Sequence, residues 1–156
     1  MTTGKIRVRL ATAADLETLR RFEQGVIAAE RPFDPTLRPD PIQYYDLEAM
    51  LASDNVDLVV VEDVHGTLLG SGYARVEASR PFVLPAEYAY LGFMYVVPEA
   101  RGRGINALIL DKLKALARAR GITELRLEVY AGNEPAIRAY TKAGFEEVLV
   151  WMRMPL

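Results

Sequence analysis

Cysteine is absent from this chain of 156 residues, so it has neither a disulfide framework nor a thiol nucleophile. Histidine occurs once. His65 lies in Asp63-Val64-His65-Gly66, between aliphatic runs, where a hairpin turn is expected. A lone turn histidine argues against a serine–histidine–acid triad and against a histidine-built metal site, so no metal is expected. A dominant sign of charge is missing too. Nineteen Lys and Arg against 21 Asp and Glu leave a net charge of −2. The basic residues are interspersed with acids rather than striped, which predicts neither nucleic acid nor an anionic membrane as partner. No apolar run approaches bilayer-spanning length and none resembles a signal peptide, so the expectation is a soluble, cytoplasmic protein. A composition 51% hydrophobic and 26% charged is that of an ordinary globular domain. One domain over residues 1–156, with about two-thirds of the unfolded surface buried, is expected.

The most informative stretch is Tyr88–Arg120. Tyr88-Ala-Tyr-Leu-Gly-Phe-Met-Tyr-Val-Val97 is aromatic and aliphatic, as a strand buried on both faces would be. Pro98 stops it, because proline has no N–H for the ladder. Glu99–Asn106 then turns on two glycines and two arginines. Beyond it Ile105, Leu108, Ile109, Leu113 and Leu116 share one helical face, and Gly121 ends the helix. The first turn of a helix carries N–H groups without partners and a partial positive charge. Glycines remove the Cβ atoms that would hold an anion away, and Arg101 and Arg103 add cations, so phosphate binding is the functional reading. The structural alternative is a connection that only needs glycine's freedom.

Around this centre the chain is punctuated clearly. Lys5–Leu10 alternates as a strand. Thr12 or Asp15 caps a helix reaching about Glu30, with Leu16, Leu19, Phe22, Val26 and Ile27 inward. Arg31–Pro41 holds four prolines and is irregular, an ordered loop suited to lining a pocket. Tyr44–Leu51 is a short helix, and Leu58–Glu62 and Leu68–Glu77 are strands around the His65 turn. Gly70 and Gly72 mark a bulge or a close backbone approach. Glu124–Tyr130 alternates as a strand, Asn133 caps a helix over Pro135–Ala143, Gly144 stops it, and Phe145–Met154 supplies closing strands. Hairpins with one crossover helix imply a mixed sheet in an α/β (α+β) domain.

Two phosphate-binding patterns compete for the turn. Gly102-Arg-Gly104-Ile-Asn-Ala107 fits G-x-G-x-x-A, with Glu128 at a strand end where a ribose-binding acid would stand. A dinucleotide-binding half of that kind needs further βα repeats, and Tyr130–Leu156 holds one helix and a hairpin. The other pattern covers more residues. Tyr95-Val-Val-Pro98-x-x-Arg101-Gly-Arg-Gly104-Ile-Asn106, followed by Asn133-Glu-Pro-Ala136-Ile-Arg-Ala-Tyr140-x-Lys-x-Gly144-Phe145, resembles the two signature blocks of the GNAT superfamily of acetyl-CoA-dependent N-acetyltransferases. The departure is Asn106, where the family usually has Gly or Ala.

The resemblance implies a single-domain, mostly antiparallel mixed sheet flanked by helices, with a splayed central strand pair. It implies that N–H groups over Arg101, Gly102, Arg103, Gly104, Ile105 and Asn106 hold the pyrophosphate of acetyl-CoA. The backbone near Met94, Tyr95 and Val96 would pair with the pantetheine arm. Asn133, followed in its block by Ala136, would hold that arm from the other side, and Tyr140 would point its hydroxyl at the thioester sulfur. The base is Glu87 or a water bound by Tyr88 or Tyr90. The acceptor side would bring in Glu30, Phe33, Asp34 and Tyr44, together with Tyr88 and Tyr90, and the acceptor would be an amine, small molecule or peptide. A homodimer is a family habit. A non-catalytic acyl-CoA-binding module of the same fold is the alternative.

Overall fold

The computed structural model describes residues 5–156. Five strands, β1 (Arg7–Leu10), β2 (Val56–Glu62), β3 (Leu68–Ala78), β4 (Glu87–Val96) and β5 (Leu125–Arg126), form one sheet in sequence order. All neighbours are antiparallel except β4 and β5, which run parallel. Helix α3 (Ile105–Ala119) makes that parallel crossover, whereas β1 reaches β2 through α1 (Leu16–Glu30) and α2 (Leu47–Ala52). Helix α4 (Glu134–Ala143) follows β5.

The sheet is a middle layer. On one face Val59, Val61, Leu69, Ala74, Ala89 and Leu91 pack with Ile105, Ile109 and Leu113 of α3. On the other, Leu58, Val60, Tyr73 and Phe93 pack with Leu19 and Phe22 of α1 and Leu47 of α2. Alternate residues of β2 thus enter opposite cores, which is why Leu58–Val61 is an uninterrupted apolar run. Helix α1 carries one polar residue inward. Glu23 is 2% exposed, and its Oε2 accepts the backbone N–H groups of Tyr44 and Tyr45 at 3.0 and 2.8 Å. That carboxylate anchors the far end of the proline-rich loop to α1, because a buried acid is tolerable only with donors around it.

Most sequence expectations hold to within a few residues. The hairpin at His65 is present, with Asp63 Oδ1 accepting the N–H groups of His65 and Thr67. Pairing of β3 with β4 shifts register between Ser71 and Tyr73, opposite Gly92 and Tyr95. Gly72 sits at that shift, and at Gly70 a Cβ would come 2.6 Å from the Tyr95 carbonyl oxygen, so this glycine pair marks both a bulge and a close backbone approach. Three expectations need correction. The short helix begins at Leu47 rather than Tyr44, capped by Asp46. The strand expected over Glu124–Tyr130 pairs only at Leu125 and Arg126. Phe145–Met154 forms no strands. An alternating pattern becomes a strand only against a partner edge, and β5 presents a two-residue ladder.

Candidate active site

The site is where β4 loses its neighbour. Ala89 pairs with Leu125 and Tyr90 with Arg126, and beyond Tyr90 the strand has no partner on the β5 side. At Gly92–Met94 β4 also bulges. Phe93 has φ +54°, a left-handed conformation that a bulky residue rarely adopts. Ser71 Oγ donates to the Phe93 carbonyl at 3.1 Å and holds the bend. The bulge reverses the alternation of side chains. Ala89 and Leu91 face the α3 core before it, whereas Met94 and Val96 face that core after it, and Phe93 and Tyr95 join the α1 side. A splayed edge with a bulge leaves main-chain groups of Leu91–Val96 free to pair with an extended ligand.

Helix α3 begins beside the end of β4. Its cap residue Gly104 has φ +76°, as has Gly102, and no side chain accepts a hydrogen bond from its first turn. The other helix beside the cleft differs: Asn133 Oδ1 accepts the Ala136 N–H at 3.3 Å, so the α4 start is satisfied internally. The α3 start opens on a pocket of about 160 Å³ lined by Val96, Ala100, Arg101, Gly102, Gly104, Ile105 and Asn106. Arg101 folds back to donate to the Val96 carbonyl at 3.3 Å, and both Arg101 and Arg103 are exposed. Orphan donors, a left-handed glycine pair and two cations make an anion cradle.

On α4, Tyr140 stands edge-on to Phe145, with ring centroids 5.7 Å apart. Its hydroxyl makes no hydrogen bond among the described residues, and burial raises its pKa above the ordinary phenol value. Glu87 lies elsewhere. It is exposed at the start of β4, opposite Ala78, and has the parity of Ala89 and Leu91 rather than of Tyr88 and Tyr90. Six residues of strand put it about 20 Å from the bulge. The carboxylate on the Tyr88 side is instead Glu77 of β3, which accepts the Tyr88 hydroxyl at 2.9 Å and pairs with Arg75. That bond raises the Tyr88 pKa. Arg75 also lies over the rings of Tyr73 and Tyr90, and burial raises the Tyr90 pKa. Glu77 escaped the sequence reading, although it is the cross-strand partner of Tyr88 in the β3–β4 register.

The expected acceptor residues do gather. Asp34 is buried and receives the Tyr130 hydroxyl at 2.8 Å, Phe33 stacks on the Tyr130 ring, and the Tyr44 hydroxyl is buried with no partner of hydrogen-bond geometry among the described residues. Burial raises the pKa of Glu30, with the negative charge of Asp34 adding to it. Burial and the nearby Glu30 carboxylate likewise raise Tyr44. Asp34 differs from Glu30: bonds from Thr36, then from Arg153 and Tyr130, hold it well below the usual carboxylate range. Among the described residues no group of side chains could hold a metal ion, and no helix is long and apolar enough to cross a membrane.

A mixed sheet opened by a bulge beside an uncapped, glycine-led helix can seat an anion joined to an extended arm. The comparisons name the family. Residues 23–145 match the model of the acetyltransferase (GNAT) family. An acetyltransferase of Pectobacterium atrosepticum is 33% identical over 112 residues, 72% of this chain and 73% of that protein. Among solved structures, a Bacillus halodurans protein superposes with TM-score 0.84 at 20% identity, covering 96% of this chain and 99% of the other. An acetyltransferase of Clostridium acetobutylicum, crystallised with acetyl-CoA, gives TM-score 0.74 at 20% identity over 97% and 96% of the two chains. This chain therefore belongs to the GNAT acetyltransferase family.

Proposed function

We propose that the protein transfers an acetyl group from acetyl-CoA directly to an amine. The observation that carries this reading is the start of α3: free N–H groups behind Gly102 and Gly104, next to the unpaired edge of β4. Together they fit a diphosphate joined to an extended amide-bearing arm. The Clostridium relative was crystallised with acetyl-CoA, which supports the same donor. Acetyl-CoA would supply the thioester; the chain's residues bind, orient and move protons. Arg101–Asn106 take the diphosphate, Met94–Val96 pair with the arm, and Asn133, whose Oδ1 is spent on its own helix, offers its amide N–H group.

In the transfer a C–N bond forms, a C–S bond breaks, and one proton leaves nitrogen while one arrives at sulfur. An N–H at the β4 bulge polarises the carbonyl. Tyr140 donates to the departing sulfur; its raised pKa keeps it protonated at neutral pH. The amine must arrive unprotonated. For a pKa of about 10.4, neutrality at pH 7 costs about 4.6 kcal/mol, against about 1.4 for an α-amine near 8. Water at Tyr90, three residues from the bulge, accepts that proton; Glu87 and the Tyr88–Glu77 pair stand at the far end of the strand, where Glu77 is already paired with Arg75. Glu30 has no cationic partner among the described residues, so it is the acid that would meet a cationic acceptor.

Calorimetry with acetyl-CoA, followed by a free-thiol assay over a panel of polyamines, amino acids, aminoglycosides and peptides, tests the reading. Binding and amine-dependent thiol release are expected. Binding without transfer to any amine would make the chain an acyl-CoA-binding module, and no binding would remove the reading altogether.

A further inference from the structure

Asp34 is 8% exposed, yet its carboxylate is crowded with donors from three parts of the chain. The N–H and hydroxyl of Thr36 come from its own loop. The Tyr130 hydroxyl reaches Oδ2 at 2.8 Å from beyond β5, and the Arg153 guanidinium reaches Oδ1 at 2.8 Å from the C-terminal segment. Arg153 also donates to Thr36 Oγ1 at 2.9 Å. The neighbouring Phe33 stacks on Tyr130, with centroids 6.3 Å apart and planes at 25°, and its Cδ1 lies 3.4 Å from where a Cβ at Gly132 would stand. The Tyr130 carbonyl in turn accepts the Asn133 N–H at 2.9 Å, which starts the turn into α4.

At its other end the same segment rests on β4, where Phe22 packs on Tyr95 with centroids 5.0 Å apart. Helix α1 and its loop thus reach from β4 to the segment that follows β5, past the point where the two strands part. Both Asp34 oxygens are already occupied, and Arg153 neutralises the charge. A substrate ammonium would have to displace that guanidinium. The geometry is that of a fastening, not of a cation receptor.

We propose that Asp34 is a positioning residue. Its carboxylate fixes the acceptor wall of Glu30, Phe33 and Tyr44 to the turn that launches α4 and Tyr140, so that amine and thioester keep one alignment. The proposal rests on the acetyl-transfer reading above but gives Asp34 no contact with substrate. Reaction rates depend steeply on such alignment, because a misplacement of about 1 Å can cost about 100-fold.

Asp34→Asn and the milder Tyr130→Phe test it, the second remaining decisive if the first fails to fold. Hydrogen exchange in residues 31–38 and 130–136 should quicken together in both variants, while residues 58–61 of the buried β2 stay unchanged. With the best amine of the panel, the acceptor kcat/KM should fall about tenfold or more, chiefly through kcat. Calorimetry should give an acetyl-CoA Kd within about threefold of the parent's. Exchange that quickens in residues 31–38 alone, or an acetyl-CoA affinity that falls in step with kcat/KM, would overturn the proposal. If no amine accepts an acetyl group, the functional reading fails instead; the exchange measurements need no substrate and still decide whether Asp34 fastens the two segments.

Discussion

Tyr140 and Glu77 show how differently two residues of one chain can be read. Tyr140 belongs to a recognisable block, Asn133 to Phe145, and its environment suits the role proposed for it: burial holds the phenol protonated. Tyr140→Phe keeps the ring against Phe145 and removes only the donor, so kcat should fall about 100-fold with little change in acetyl-CoA affinity; steady-state kinetics and calorimetry check both halves. Glu77 is one acid among many until β3 and β4 pair, when it meets Tyr88. Glu77→Gln should leave kcat with the best amine within about threefold, and a larger fall would move the proton acceptor to the Tyr88 end of the strand. Glu23 was illegible for the same reason as Glu77. It was not among the inward residues read from the pattern, because its partners are backbone N–H groups about twenty residues away.

At the scale of elements, legibility followed how local the determinants are. Helix α3 and its start were written in adjacent residues: Pro98 ends the strand, two glycines turn the chain, and Ile105, Ile109 and Leu113 repeat at helical spacing. Gly104 tests what that start is for. Its φ of +76° suits glycine, and nothing lies within 4 Å of the missing Cβ. Gly104→Ala should therefore cost about 1–2 kcal/mol through backbone strain rather than crowding. It should also weaken acetyl-CoA binding, because the strained loop turns its N–H groups away. Urea unfolding and calorimetry separate the two effects, and a variant that loses stability while binding normally would free this loop of its assigned role. The strands at the far side were misjudged because their determinants are not local. Leu125–Tyr130 alternates along its length, but only Leu125 and Arg126 lie against β4 before the two diverge.

For the molecule as a whole, charge pairing across the sheet sets its response to acid. Arg9 bonds Asp15 and Glu62 and lowers the pKa of both carboxylates, while Thr36, Arg153 and Tyr130 lower that of Asp34. Unfolded, these acids titrate near about 3.9 and 4.3. A folded pKa below the unfolded one means that the unfolded chain takes up protons first. The stabilisation is therefore complete above about pH 5 and lost as pH falls through the folded values. Melting temperature should be level from about pH 7 to 5 and fall steeply below about pH 4. A parent protein whose Tm holds level to about pH 3 would contradict these pairings; in Asp34→Asn the fall should be shallower.

By itself the sequence determined the class of fold, the order of the principal elements, the glycine turn before α3 and the family, because each is encoded in neighbouring residues: apolar period, proline stops, glycine turns and two signature blocks. Only the tertiary structure decided how far β5 accompanies β4, which acid stands beside Tyr88, and that Asp34 is already spent on Tyr130 and Arg153. Those outcomes depend on pairing between segments remote in the chain. Such pairing is settled by strand register, burial and competition for hydrogen-bond donors, none of which a run of consecutive residues records.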